Sequence, residues 1–310
     1  MSTQLDNQDS VEVEGLETRE EISPVIPLPL GDALTREQIY SISAAEPATF
    51  AVIAGPSGCG KTTLVTSMYQ MFLKKPLEQY YFAGSLTLQA FEQRAFLTRI
   101  VSNQANPQTQ RTPRGSLDSI LHLRIWDHSR DKYNNLLLTD FSGEDYNDLS
   151  GNVTLAQAEF SVVKAAQVIV LLIDGAKISD NQYRHTEIQK AIHILRTFYD
   201  AELINSTAKI VVVISKYDII HNLYQSKPEL KQFVESVPEK ICRQIEGVRS
   251  RIDFCFVAAM PDVAGDLGTG FGLKKLLNLM ISEICNPICK CHPTVVPSSE
   301  FNLFNERIQK

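Results

Sequence analysis

The chain has 310 residues, 44% hydrophobic and 21% charged, an ordinary balance for a globular protein with ample core material. Its net charge of −6 arises between Met1 and Pro24, where seven acidic residues face one arginine; the remainder is balanced. A near-neutral body argues against a general nucleic-acid surface, no apolar run reaches the ~18–20 residues of a membrane span, and six scattered cysteines make no disulfide framework. The acidic start lacks the basic-then-apolar layout of a secretory leader, so the cytoplasm is the expected compartment.

Residues 1–44 read as an acidic, proline-containing tail (Pro24, Pro27, Pro29) and a lead-in, with Thr35 capping a short helix to Ser43. The Pro24-Val-Ile-Pro27 spacing matches a PxxP ligand but reads more simply as linker. Thr49–Ala54 is a buried strand. Gly55-Pro-Ser-Gly-Cys-Gly-Lys-Thr62 then fits G-x-x-x-x-G-K-[ST] at every fixed position, and an amphipathic helix runs from Thr62 to Lys74. Gln79–Ala83 is a short strand and Ser85–Ser102 a helix. The polar stretch Asn103–Gly115 has the length of a functional loop. Strands 121–126 and 135–139 follow, separated by a gap that reads as an open loop between antiparallel partners. Helices 154–164, 182–199, 228–247 and 272–284 then alternate with strands 168–174, 209–214 and 253–258. Alternation of this kind means an α/β domain over 45–285, a mainly parallel sheet with helices on both faces, and a C-terminal tail over 286–310.

The chemistry starts at the glycine-rich loop. Backbone N–H groups from Gly55, Ser57, Gly58, Cys59, Gly60, Lys61, Thr62 and Thr63 would cradle a polyphosphate at a helix N-terminus. Lys61 would reach the β- and γ-phosphates, and the Thr62 hydroxyl would complete a Mg²⁺ shell. Strand 135–139 delivers Asp140 at its end, placed to hold Mg²⁺ through water opposite Thr62; Gly143, three residues on, can bring its N–H to a γ-phosphate oxygen. Strand 210–214 delivers Ser215-Lys216-Tyr217-Asp218.

The set GPSGCGKT, DFSG and SKYD, each at a strand's end and in this order, resembles the guanine-nucleotide domain of Ras-like and translation-factor GTPases. That resemblance implies a P-loop NTPase fold with a Ras-like, six-stranded sheet and one antiparallel strand. It assigns the guanine N1–H and amine to Asp218 and the ring face to the Lys216 stem, with Ser215 where the family has Asn. It places the last base contact on the backbone N–H of Ala258, and a switch threonine at Thr112, with Thr109 and Ser116 as rivals. Glu144 stands where the family orients water with Gln, either as a weak water-orienting group or as a solvated switch residue; Arg111 or Arg114 could serve as an arginine finger in cis, although an arginine in a polar loop reads more simply as solvated. The segments at 82–95, 111–123 and 136–145 further resemble the bacterial double-GTPase (DO-GTPase) group, whose members are associated with conflict or defence gene neighbourhoods.

The reading is therefore a GTP/GDP- and Mg²⁺-binding switch with slow hydrolysis, regulated by an effector protein or by nucleotide-dependent homodimerisation. Two alternatives remain: a nucleotide-dependent scaffold, and an ABC-like ATPase. The latter is suggested by the loop itself, by Leu149-Ser-Gly151 and by Asp174, but it fails at Asn152, Val153 and Gly175. Cys285, Cys289, Cys291 and His292 are too crowded for a structural zinc site. His122 and His193 read as structural, and Phe301 and Phe304 as partner-facing.

Overall fold

The structure, a computed structural model, describes residues 30–96, 109, 112, 119–149, 151–245, 252–261 and 266–281. The acidic tail before residue 30, Arg111, Arg114, Ser116, and everything from 282 on, with its cysteines and Phe301 and Phe304, lie outside the described residues. Helix α1 (Arg36–Ala45) follows Thr35, whose N–H donates to Gln38 Oε1 at 2.9 Å, one arm of a capping box. Ahead of it, Leu34 and Ile120 exchange backbone hydrogen bonds of 2.8 and 3.2 Å, so the lead-in is tied to the body.

Among the described residues seven strands form one sheet: β1 (Ala48–Ala54), β2 (Tyr80–Gly84), β3 (Ile120–Asp127), β4 (Lys132–Thr139), β5 (Val168–Asp174), β6 (Lys209–Ser215) and β7 (Ile252–Phe256). Their order is β2-β3-β4-β1-β5-β6-β7, and β3 alone runs against its neighbours. The Ras-like, mainly parallel sheet with one reversed strand is present, one strand wider than six because Tyr80–Gly84 pairs with β3 as an outer edge. Every residue of β5 is buried, which is why its sequence is an unbroken apolar run ending in one aspartate.

The helices are α2 (Lys61–Lys74), α3 (Leu88–Ala95), α4 (Gly143–Leu149), α5 (Val153–Glu159), α6 (Gly175–Ser179), α7 (Arg184–Asp200), α8 (Tyr217–Leu223), α9 (Pro228–Gln244) and α10 (Leu273–Ile281). Alternation along β1 divides the core in two. Ala51 and Ile53 pack with Leu64, Met68 and Phe72 of α2, Phe91 of α3 and Leu276 of α10. Phe50, Val52 and Ala54 pack with Tyr146 of α4, Phe198 of α7 and Val234 of α9 on the other side. At roughly 1.5–3 kcal/mol per fully buried large aliphatic or aromatic side chain, these two layers supply the main driving force.

Two departures from expectation have a clear side-chain cause. The helix expected over 154–164 ends at Glu159, because the Phe160 ring is fixed among Phe141, Tyr146 and Phe198 at centroid distances of 6.1, 5.2 and 6.0 Å. Phe160 and Val163, both fully buried, then share one side of the 3₁₀ turn Ser161–Ala165, where residues three apart eclipse. The open loop expected between β3 and β4 is a short turn instead. The Asp127 carboxylate accepts from Ser129 N (3.0 Å), Ser129 Oγ (2.6 Å) and Arg130 N (3.3 Å), and Asp131 adopts φ 50°, so β4 begins already at Lys132.

Strands β1, β4, β5 and β6 are mutually parallel, so their C-terminal ends open on one edge of the sheet, with β1 between the two halves. A crevice at that point is where open α/β sheets bind ligands.

Candidate functional site

The loop Gly55–Gly60 leaves β1 and enters α2, whose N-cap Gly60 has φ 94°, a left-handed backbone that favours glycine. The buried Lys61 ammonium folds back to donate to Gly55 O (2.8 Å) and Pro56 O (3.2 Å), and it lies 5.4 Å from the centre of the Tyr146 ring. Tyr146 is itself fully buried and donates its hydroxyl to Ile53 O at 3.0 Å; burial pushes that phenol well above its usual range, so it stays neutral. Burial also pushes the Cys59 thiol up, against the pull of Lys61, and keeps it an unreactive thiol inside the loop.

One hydroxyl gathers the metal-side residues. Thr62 Oγ1 donates to Asp140 Oδ1 at 2.9 Å and lies 3.1 Å from Thr112 Oγ1. Thr109 instead stands 3.0 Å from Thr63 Oγ1, so of these two threonines it is Thr112 that shares Thr62 with Asp140. Among the described residues no three His, Cys, Asp or Glu side chains cluster as a metal set. The set at Thr62 is one carboxylate with hydroxyls, hard oxygen donors of the kind Mg²⁺ takes when phosphate oxygens and water complete its shell.

Gly143 follows at the start of α4. A Cβ there would overlap the Ser57 backbone and stand 2.7 Å from Lys61 Nζ, so only glycine lets this turn approach the phosphate cup. Glu144 is next, its N–H donating to Ser142 Oγ at 3.2 Å. These residues, the loop, Thr109 and Thr112 line a cavity of about 440 Å³, room for a polyphosphate.

Ser215, Lys216, Asp218 and Ala258 do not line that cavity; they end or follow β6 and β7, and Ser215 and Lys216 are hydrogen-bonded to its loop at Cys59 and Gly58. Ser215 Oγ reaches both Cys59 O (2.7 Å) and Ile173 O (3.2 Å), so the serine braces the phosphate loop against β5 and β6. Lys216, with φ 51°, places its ammonium on Gly58 O (2.9 Å) and on Asp174 Oδ2 (2.8 Å). Asp218 is buried in the first turn of α8. Ala258 is used otherwise than expected. Its N–H donates to Phe271 O at 3.0 Å in an isolated bridge, so this donor is engaged within the fold.

Three residues enter the site that the motifs do not mark. Asp174 ends β5, and its carboxylate accepts from Ala176 N (3.0 Å) and from Lys216 (2.8 Å), the lysine that also holds Gly58 O. Glu187 of α7, 1% exposed, pairs with Lys177, whose ammonium also lies 3.5 Å from Ser57 O. Arg94, near the end of α3, places Nε 2.5 Å from Asp140 Oδ2. An aspartate closing an apolar strand was a usable signal for Asp174. An arginine on a short helix has no spacing that sets it apart from a solvated one.

A family model described as Double-GTPase 2 matches residues 50–280. No curated protein matches the chain. Among the described residues no helix is long and apolar enough to cross a membrane.

Proposed function

The chain belongs to the Double-GTPase 2 family, which implies guanine-nucleotide binding, and from that premise we propose that it is a switch with slow, Mg²⁺-dependent GTP hydrolysis. The observation that carries this reading is the meeting of three parts of the chain at Thr62 Oγ1: α2, Asp140 at the end of β4, and Thr112. In this proposal the loop N–H groups and Lys61 hold the triphosphate, and Thr62, Thr112 and Asp140 hold the cation. A cation held there would supply positive charge that offsets the charge of the triphosphate.

Gly143 N–H reads the γ-phosphate, and Glu144, in the cavity wall, orients water. Loss of the γ-phosphate removes the contact that holds Gly143 and Thr112 to the nucleotide, and their release is the switch. A carboxylate at Glu144 also repels the γ-phosphate, which accords with slow turnover. At the base, Asp218 accepts two hydrogen bonds that adenine cannot donate, while Ser215 and Lys216 tie the base side to the cup. Regulation by a protein partner or by pairing of two copies, in a bacterial defence setting, belongs to the same proposal.

The test is a long phosphate-release measurement with a Lys61→Ala control, since intrinsic rates of such switches fall to about 10⁻⁴ per second. Release above the control that vanishes when Mg²⁺ is chelated is expected. Tight GTP binding with no release above the control would make the chain a nucleotide-dependent scaffold instead.

A further inference from the structure

We propose that Arg94 is a built-in counter-ion that loosens the grip on Mg²⁺ and thereby promotes nucleotide exchange; this rests on the GTP·Mg²⁺ reading above. The Asp140 side chain is fully buried, and each of its oxygens has a different partner: Oδ1 faces the Thr62 hydroxyl at 2.9 Å, and Oδ2 faces Arg94 Nε at 2.5 Å. The guanidinium is fixed on all sides. Nη2 donates to Ser119 Oγ (2.7 Å) and Nη1 to Ala90 O (3.1 Å), while Asp140 N itself donates to Ser119 O (3.0 Å). With its side chain 16% exposed, this arginine is held in place rather than solvated, and it spans the two sides of the segment that bears Thr109 and Thr112.

Two effects of such a partner oppose one another. A hydrogen bond to Oδ2 fixes the carboxylate so that Oδ1 points to the metal side, and loss of such outer support typically costs 10–100-fold in metal affinity. A full positive charge on the same buried carboxylate cancels the charge that draws a dication, and the repulsion acts across a poorly solvated site. Among the described residues Asp140 is the carboxylate hydrogen-bonded to Thr62, so neutralising it weakens the anionic contribution at that hydroxyl and leaves the dication mainly to the phosphates. The charge effect therefore wins: Mg²⁺ is held mainly by the nucleotide, leaves readily, and the nucleotide follows.

Two variants of the full chain separate the effects. Arg94→Gln keeps a donor for Oδ2 and removes the charge; Arg94→Lys keeps the charge and removes the fork. The measurement is release of preloaded fluorescent mant-GDP as free Mg²⁺ is varied, with the rate in chelator as reference. Arg94→Gln is expected to lower the Mg²⁺ concentration at half-effect at least tenfold and to slow release, Arg94→Lys to stay within about threefold of the unaltered chain, and all three to release alike in chelator. An unchanged or raised half-effect concentration for Arg94→Gln overturns the inference while the GTP·Mg²⁺ reading stands. Absence of mant-GDP binding by the unaltered chain, or Mg²⁺-independent release from it, overturns both.

Discussion

Ser215 occupies the place where Ras-like GTPases brace their phosphate loop with an asparagine, and it keeps the brace by a shorter route. Its hydroxyl spans Cys59 O and Ile173 O, so one donor serves loop and strand together. Ser215→Ala leaves the buried Cys59 carbonyl short of this partner, at a cost of about 1–3 kcal/mol. Equilibrium titration with mant-GDP is expected to show about 5–100-fold weaker binding for Ser215→Ala with little change in the far-UV spectrum. An unchanged affinity would mean that the hydroxyl does not support the nucleotide site. At this scale the sequence was informative wherever a side chain sits at fixed spacing after a strand. Lys61, Thr62 and Asp140 stand where the motifs put them because the loop, the helix start and the strand end are local structure. The Ala258 N–H is taken by Phe271, a pairing set by the register of the chain at 268–272 and invisible in any three-residue motif. Arg94 was hidden for a similar reason: its partner lies 46 positions away, on another element.

Among the elements, β3 is joined to its surroundings by His122. Its Nδ1 accepts from Leu86 N (3.0 Å) and its Nε2 meets Asn135 Oδ1 on β4 (2.9 Å), an arrangement satisfied by the neutral ring with the proton on Nε2. Burial lowers its pKa below the ordinary histidine value; the Asn135 bond opposes this, and Arg124 adds to it. With the folded pKa below the unfolded one, the unfolded chain takes up the proton first as pH falls, so stability is lost below about pH 6.5 until the folded ring is protonated too. Urea unfolding between pH 7.5 and 5 should show this as a slope of up to about 1.4 kcal/mol per pH unit, absent in His122→Gln. Equal slopes in the two proteins would assign the acid sensitivity elsewhere. The strand-helix alternation after residue 150 was legible because each buried strand is an apolar run of its own length. The β3–β4 turn and the break at Phe160 were not, since both depend on one side chain finding distant or non-periodic partners: the Asp127 carboxylate in the first, the Phe141–Tyr146–Phe198 cluster in the second.

Over the whole molecule, β1 is the hub on which the two core layers and the two halves of the ligand site converge. Its side chains enter both layers, its end becomes the phosphate loop, and that loop is tied to β6 by Ser215 and to Asp174 through Lys216. A ligand that joins the phosphate cup to the base-side residues therefore engages both halves of the sheet, and its binding stabilises the folded state by about 2.7 kcal/mol at a hundred times its dissociation constant. In the proposed function the choice of purine falls to Asp218, buried in the first turn of α8 beyond β6. The direct measurement is a competition titration of mant-GDP with GTP, ATP and xanthosine triphosphate against the unaltered chain and Asp218→Asn. GTP should displace the probe at concentrations at least tenfold below ATP from the unaltered chain, and the substitution should weaken GTP while admitting the xanthine nucleotide. Displacement by ATP as readily as by GTP, with Asp218→Asn indistinguishable from the unaltered chain, would contradict it.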